Sequence, residues 1–138
     1  MDRGATECVL RRELQGDDRV RWAYVFGSFA RGEPYRDLDI AIMLEPDAKW
    51  SALELGRLQL HLERATGHPV DVVELGQAAL PLIGSVLRER RLLVDRATDE
   101  RHEWEAVMAS RWLDFEPARL RQSALRREAM RRREGSAG

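Results

Sequence analysis

The chain has 138 residues, of which 23 are basic and 24 acidic, so its formal net charge is −1. This length predicts a single domain with one core, and the balanced charge gives no reason to expect direct binding to nucleic acid. No apolar run approaches the roughly 20 residues that a membrane span needs, and a single cysteine excludes an internal disulfide. We therefore expect a globular protein of the reducing cytoplasm, with no membrane contact.

The first half of the chain alternates between helix and strand. The spacing of its apolar residues predicts a helix, a buried strand, a second strand and a long helix, in that order, over residues 5–15, 20–26, 37–44 and 49–65. Turn residues separate these elements. The first helix is expected to direct Cys8, Val9 and Leu14 toward the core.

The second half continues the alternation. Its pattern predicts a strand, a helix, a closing strand and a final helical stretch, over residues 70–75, 78–90, 91–95 and 98–134. Pro117 is expected to break the last stretch near Asp114, because proline lacks the N–H that a helix interior needs. The chain is thereby divided into a core, 1–97, a C-terminal helical extension, 98–134, and a disordered tail, 135–138.

Two carboxylates stand at the start of the second predicted strand. Asp37 and Asp39 are two residues apart, so in a strand their side chains share one face, about 6–7 Å apart along the chain. Carboxylates held this close repel one another unless a cation lies between them, and hard oxygen ligands suit Mg²⁺. Taken alone, so short a motif is more often just the polar entrance to a strand.

The residues that precede this pair favour the metal-binding interpretation. Gly27 lets the backbone approach a ligand closely, Ser28 can begin a helix whose N–H groups face an anion, and Arg31 carries donors matched to phosphate oxygens. An anion site beside a pair of metal-binding carboxylates suits a nucleoside triphosphate.

The motif GSFARG followed by DLD resembles the signature of the polymerase-β-type nucleotidyltransferases, most closely the minimal nucleotidyltransferases of prokaryotes. The resemblance implies that Gly27 and Ser28 hold the triphosphate of ATP and that Asp37 and Asp39 carry two Mg²⁺ ions. The connection between Ser28 and Asp37 is shorter than is usual in that group.

Asp71 interrupts a run of valines in the third predicted strand. A lone buried carboxylate needs a partner, and from the sequence this is either an arginine in a structural salt bridge or a metal ion. The resemblance implies a third acid on a neighbouring strand of the metal site, and we assign that role to Asp71. Glu74 is the weaker candidate, because it points to the other face of the strand.

The resemblance also implies a fold and a reaction. The fold is α/β (α+β), a small mixed twisted sheet of about four strands with helices mainly on one face. In the reaction an acceptor hydroxyl attacks the α-phosphorus of ATP, Asp71 receives the proton, Arg31 neutralises charge on the phosphates, and pyrophosphate leaves. Relatives of this kind are commonly antitoxins that transfer AMP to a tyrosine of a HEPN-domain toxin.

Two other functions stay open at this point. One is an antitoxin that neutralises its toxin by binding alone, which the short connection between Ser28 and Asp37 favours and the three acids oppose. The other is an adenylyltransferase for a small molecule such as an aminoglycoside, which would need room for a substrate-binding domain.

The last predicted helix carries two features of possible use in binding a partner. An apolar stripe that either covers the sheet or docks a partner is formed by Trp104, Val107, Met108, Trp112 and Phe115. Its three aromatic residues are the candidate docking surface. Seven arginines between residues 119 and 133 fit either a solvated helix end or a patch for RNA or an acidic partner.

Overall fold

The structure, a computed structural model, describes the backbone of residues 1–137, and the side chains of all of these except 116–120, 122–123 and 133–137. The helices and strands of this part of the chain are, in order, α1 (Arg3–Gln15), β1 (Val20–Phe26), α2 (Gly27–Ala30), β2 (Leu38–Leu44), α3 (Ala52–Thr66), β3 (Val70–Glu74), α4 (Leu80–Glu89), β4 (Arg91–Asp95) and α5 (Thr98–Ala137). None of these helices is long and apolar enough to cross a membrane.

The four strands form one mixed sheet in the order β3-β2-β1-β4. β1 pairs antiparallel with both β2 and β4, whereas β2 and β3 run parallel. A parallel pair needs a crossover connection, and α3 supplies it between β2 and β3. The α/β class and the four-stranded mixed sheet predicted from the sequence are confirmed.

The longer helices cover both faces of this sheet, α1 and α3 on one and α4 and α5 on the other, where the sequence predicts helices mainly on one face. The leucines of α1 and α3 pack on one face, against the side chains of Val25, Ile40 and Ile42. On the other face Tyr24 and its neighbours pack against α4 and α5. Successive residues of a strand point to opposite faces, and nearly every position of β1 is apolar and buried. Both faces of the sheet therefore need a covering layer.

The buried face of α1 differs from the predicted one. Thr6, Leu10 and Leu14 are buried, at the four-residue spacing of a single helix face. Cys8 lies on the other side of the helix and is exposed, so the prediction that its thiol packs in the core is wrong.

The first turns of α5 are fixed to the sheet by an ionic cluster. Arg101 forms ion pairs with Asp95 at the end of β4 and with Glu105, and Glu105 also pairs with Arg90 at 2.7 Å. Glu105 is buried, and an acid in that setting needs such partners. The cluster therefore sets the angle at which α5 leaves the sheet.

The predicted aromatic stripe of α5 mostly faces inward. Trp104 is half-buried with its ring centroid 5.9 Å from that of Trp22, and Trp112 is 9% exposed. A Cβ atom on Gly84 of α4 would lie 2.6 Å from the Trp112 ring, so the two helices meet there at the closest distance that glycine permits. Of the three aromatic residues only Phe115 is exposed, at 37%, and Val107 of the same stripe is 42% exposed.

α5 is one continuous helix through Pro117, so the predicted break near Asp114 is absent. A proline removes one backbone hydrogen bond, and the helix continues on both sides of it. The backbone is helical as far as Ala137, beyond residue 135 where the sequence predicts a disordered tail; Gly138 lies outside the described residues. The division of the chain at residue 97 stays a prediction.

Candidate active site

Three carboxylates come together where β2 and β3 begin. Asp39 of β2 and Asp71 of β3 are direct partners in the parallel register, and residues so paired lie on neighbouring strands with their side chains on the same face. Asp37 immediately precedes β2, which begins at Leu38, one residue later than predicted. The three predicted metal ligands therefore lie at the same end of two neighbouring strands.

Asp39 is the most enclosed of the three. It is half-buried, whereas Asp37 and Asp71 are exposed. Burial, followed by the negative charges of Asp71, Asp37 and Glu89, raises the pKa of Asp39 above its usual value, while the charge of Arg31 acts in the opposite direction. A carboxylate that burial and like charges destabilise in this way is one that a bound cation would stabilise.

The donor set fits a magnesium ion. All three side chains offer hard carboxylate oxygens, the ligands that Mg²⁺ takes in proteins together with water and phosphate. Within the described residues, no group of three or more acidic, histidine or cysteine side chains is placed so that it could hold a metal ion. For these three acids to share one cation, the exposed side chains of Asp37 and Asp71 must therefore turn toward Asp39.

Asp71 has no structural salt bridge. Its side chain is exposed rather than buried in the valine run, and it forms no ion pair within the described residues. Of the two partners that the sequence leaves open for Asp71, the arginine is therefore excluded there.

Gly27 joins the predicted triphosphate-binding turn to the acids. It directly follows Phe26, which is the antiparallel partner of Asp39 in the sheet. Its φ is +75°, and a Cβ atom at this position would lie 2.2 Å from Oδ2 of Asp39. Glycine is therefore required on two grounds, the left-handed backbone and the contact with the carboxylate.

Ser28 and Arg31 lie on and directly after the same short turn, α2. Ser28 is half-buried, and Nη2 of Arg31 lies 3.4 Å from its Oγ. The Arg31 guanidinium also pairs with Glu33 at 3.1 Å and with Glu89 at 2.6 Å. The three residues predicted to bind the triphosphate are thus neighbours. The positive charge among them, the Arg31 guanidinium, is paired with the carboxylates of Glu33 and Glu89.

Glu89, at the end of α4, is a member of this site that the sequence analysis does not identify. Its carboxylate accepts hydrogen bonds from the N–H of Gly27, at 2.9 Å, and from Nη1 of Arg31, at 2.6 Å. The register of β1 with β4 accounts for its position. Val25 pairs antiparallel with Arg91, and two residues further out along each chain this register places Glu89 opposite Gly27. Only the sheet order reveals this.

The short connection between Ser28 and Asp37 is packed rather than loose. The rings of Phe29 and Tyr35 meet edge to face at 4.8 Å, and Tyr35 also lies 5.0 Å from the ring of His68. Arg3 of α1 stacks over Tyr35 at 4.8 Å and donates hydrogen bonds to the carbonyls of Phe29, at 3.1 Å, and Glu33. The first helix thereby fixes the turn on which the site depends.

Comparison with known proteins identifies the same region. The sequence profile of the family described as "Polymerase beta, Nucleotidyltransferase" matches residues 9–99. A protein of Thermococcus cleftensis named protein adenylyltransferase MntA is 34% identical over 79 residues, which is 57% of this chain and 80% of that relative.

Solved structures with the same fold come from toxin–antitoxin complexes. A chain of the complex between tri-AMPylated Shewanella oneidensis HEPN toxin and MNT antitoxin superposes with a TM-score of 0.70 at 20% identity, covering 86% of this chain and 92% of that one. A chain of a toxin–antitoxin crystal structure with AMP-PNP gives 0.68 at 21% identity, covering 90% and 98%. At these identities the likeness concerns the fold.

Proposed function

Because the chain belongs to the polymerase β nucleotidyltransferase family, we propose that it transfers AMP from ATP to a hydroxyl of a partner protein. One observation carries the proposal: Asp39 is the register partner of Asp71 on the neighbouring strand, and its carboxylate lies directly against Gly27 of the GSFARG turn. Acids for a metal and a turn for a triphosphate are thereby combined in one place, as phosphoryl and nucleotidyl transfer require.

The residues of the site have distinct tasks in this reaction. Asp37, Asp39 and Asp71 would hold Mg²⁺, which supplies charge neutralisation of the triphosphate and a lowered pKa of the acceptor hydroxyl. Ser28 and the turn around it orient the triphosphate. The acceptor oxygen forms a bond to the α-phosphorus, the bond between that phosphorus and the β-phosphate oxygen breaks, and pyrophosphate leaves.

Asp71 is our candidate for the group that takes the proton of the acceptor hydroxyl. It is exposed, so a side chain of another protein can reach it. A carboxylate near a developing phosphate ester can act as a general base once a hydroxyl lies within hydrogen-bonding distance.

We propose that the acceptor is a tyrosine of a HEPN-domain toxin and that the chain acts as the antitoxin, in the cytoplasm, where ATP is available. The printed name of the Thermococcus relative, a protein adenylyltransferase, supports a protein acceptor over a small molecule such as an aminoglycoside. The fold shared with an MNT antitoxin complex of an AMPylated HEPN toxin supports this class of partner.

An antitoxin that acts by contact alone is the second candidate, and the short connection after Ser28 is the observation that favours it. In the structure that connection is held by Arg3 and by the contact between Phe29 and Tyr35. An anchored turn beside three acids favours the enzyme.

The aromatic stripe expected to dock the toxin is largely covered within the chain. Trp104 packs against Trp22 of β1 and Trp112 against Gly84 of α4, which leaves Phe115 as the one exposed residue of these three aromatics. The role of the arginines between residues 119 and 133 stays a prediction, since part of that segment lies outside the described side chains.

Mass spectrometry of the partner tests the proposal. The protein is incubated with ATP, Mg²⁺ and the protein encoded beside it, which the proposal expects to be a HEPN protein, and transfer of AMP should add about 329 Da to that partner. An addition of about 80 Da would mean phosphoryl transfer and overturn the proposed reaction. An unchanged mass, with a tight complex and a silenced toxin, would establish the antitoxin that acts by contact alone.

A further inference from the structure

The carboxylate of Glu89 bridges the two ends of the turn α2. At the start of the turn it accepts the N–H of Gly27 at 2.9 Å, and just after the end of the turn it accepts Nη1 of Arg31 at 2.6 Å. Its side chain is only 19% exposed. Ser28, the predicted triphosphate ligand, lies between the two residues that Glu89 holds.

The contact with Gly27 gives a buried backbone N–H its acceptor. Gly27 is buried, and a buried N–H without an acceptor is costly. Its left-handed φ of +75° is a conformation that the surrounding structure must hold in place. The hydrogen-bond acceptor for this N–H is Glu89 of α4, a helix on the face of the sheet opposite α1 and α3. The turn is therefore held by a residue far from it in sequence.

We propose that Glu89 is a positioning residue of the nucleotide site, which clamps Gly27 and Arg31 so that Ser28 is directed to the triphosphate before ATP binds. This inference rests on the proposed function. A site already in its binding geometry loses less freedom on binding, so the clamp acts mainly on affinity for ATP. Glu89 itself neither holds the metal nor takes the proton in the proposed reaction.

The same contacts allow the opposite effect, in which the Glu89 carboxylate fills the anion site and ATP must displace it. The two arrangements predict opposite changes when the carboxylate is removed: weaker ATP binding for a clamp, tighter binding for a competitor. The low exposure of Glu89 and its bond to a buried backbone N–H favour the clamp, because a group that ATP displaces needs room to leave.

The experiment compares Glu89→Ala and Glu89→Gln with the control Glu33→Gln. Glu33 is the other carboxylate on Arg31, but its side chain is 55% exposed and lacks the contact with Gly27. We expect Glu89→Ala to raise the KM for ATP at least tenfold in AMP transfer to the HEPN protein, with kcat changed less than about threefold, since hydrogen bonds to charged groups are the stronger ones. Glu89→Gln, whose amide oxygen can still accept the Gly27 N–H, should recover part of the loss. Glu33→Gln, which keeps the contact between Glu89 and Gly27, should raise the KM for ATP far less than Glu89→Ala.

A second measurement is independent of activity. Hydrogen exchange of the Gly27 amide, followed without nucleotide, should be faster in Glu89→Ala than in the wild type and intermediate in Glu89→Gln. Unchanged exchange, or an equal or lower KM for ATP in either Glu89 variant, would overturn the clamp. If Glu89→Ala does not fold, the nearly isosteric Glu89→Gln carries both tests. If the wild type itself neither binds ATP nor transfers AMP, the proposed function fails, and the exchange rates still decide whether Glu89 holds the turn.

Discussion

Gly27 lies against Asp39 so closely that a Cβ atom on the glycine would be 2.2 Å from Oδ2 of the aspartate. Asp39 lies in β2, and Gly27 directly follows Phe26 of β1, the antiparallel register partner of Asp39. The turn that would hold the triphosphate therefore cannot move without moving the central acid of the site.

The substitution Gly27→Ala should abolish most of the transfer activity. Its Cβ must displace the Asp39 carboxylate, and a shift of about 1 Å in a catalytic group can lower the rate about 10²-fold. Gly32→Ala is the matched control, because Gly32 has nearly the same φ, +76°, but no atom within 4 Å of the new Cβ. Both variants bear the cost of a left-handed alanine, about 1–2 kcal/mol, so only the contact with Asp39 distinguishes them. Equal activities of the two variants would show that the contact is unimportant.

The local part of this site could be predicted from the sequence. Gly27, Ser28, Asp37 and Asp39 lie on one short stretch of chain, and the strands 20–26 and 91–95 have the predicted bounds. Side chains two residues apart in a strand point to the same face, so the spacing of Asp37 and Asp39 is enough to predict that they lie together. Glu89 could not be found in this way, because its contact with Gly27 depends on β4 lying beside β1 in the sheet.

Replacing Asp39 by asparagine should stabilise the metal-free protein and weaken its binding of Mg²⁺ and ATP. Burial and the neighbouring acids raise the pKa of Asp39 in the folded state, so the folded protein binds more protons than the unfolded chain at pH values between the usual and the raised pKa. The contribution of Asp39 to the free energy of unfolding must then fall as the pH rises through that window. Asp39→Asn removes this contribution and should melt at a higher temperature than the wild type at neutral pH.

Two measurements check this expectation. The difference in free energy of unfolding between wild type and Asp39→Asn, followed against pH, should favour the variant increasingly as the pH rises through the window; taking the difference cancels the acids with lowered pKa, such as Asp95. Calorimetry with Mg²⁺ and ATP should show weaker binding to the variant. Binding as tight as that of the wild type would remove Asp39 from the metal site.

The packing between α4 and α5 should be disturbed by the addition of one methyl group at Gly84. Gly84→Ala would bring its Cβ to 2.6 Å from the Trp112 ring, and overpacking of this kind costs about 1–3 kcal/mol. Gly56→Ala is the control, since Gly56 lies inside α3 with no atom within 4 Å of the new Cβ. An alanine in an open helix position gains about 1 kcal/mol over glycine. Gly84 also lies inside a helix, α4, so the same gain offsets part of the overpacking cost. Chemical denaturation should therefore show Gly84→Ala to be less stable than Gly56→Ala by about 1–3 kcal/mol, and a Gly84→Ala variant stabilised as much as Gly56→Ala would contradict the packing described here.

The covering of the sheet illustrates what the sequence could not reveal. The apolar positions of α5 predict a buried face, but they do not say whether it meets the sheet or a partner. That choice depends on Gly84, which lets Trp112 approach α4, and on the ion pair between Arg101 and Asp95. Both are contacts between residues far apart in sequence, and neither leaves a local pattern.

Asp71→Asn should separate chemistry from binding. Asp71 is exposed and free of any ion pair within the described residues, so an uncharged amide of the same size should leave the fold intact. The proposed task of Asp71 is to take the proton of the acceptor hydroxyl, and loss of such a group typically lowers the rate about 10²–10⁴-fold. Ser28 and the turn around it should still hold ATP, so the KM for ATP should change by less than the rate of AMP transfer.

The control for Asp71→Asn is Glu74→Gln on the same strand. Glu74 is the register partner of Ile42, three positions further along β3 and therefore on the opposite face from Asp71. Single-turnover transfer of AMP to the HEPN protein, measured at saturating ATP, should be slowed at least about 10²-fold in Asp71→Asn and be close to the wild-type rate in Glu74→Gln. Should Glu74→Gln prove the slower variant, the third acid of the site would be Glu74; should both retain the full rate, neither strand position would take part in the proton transfer.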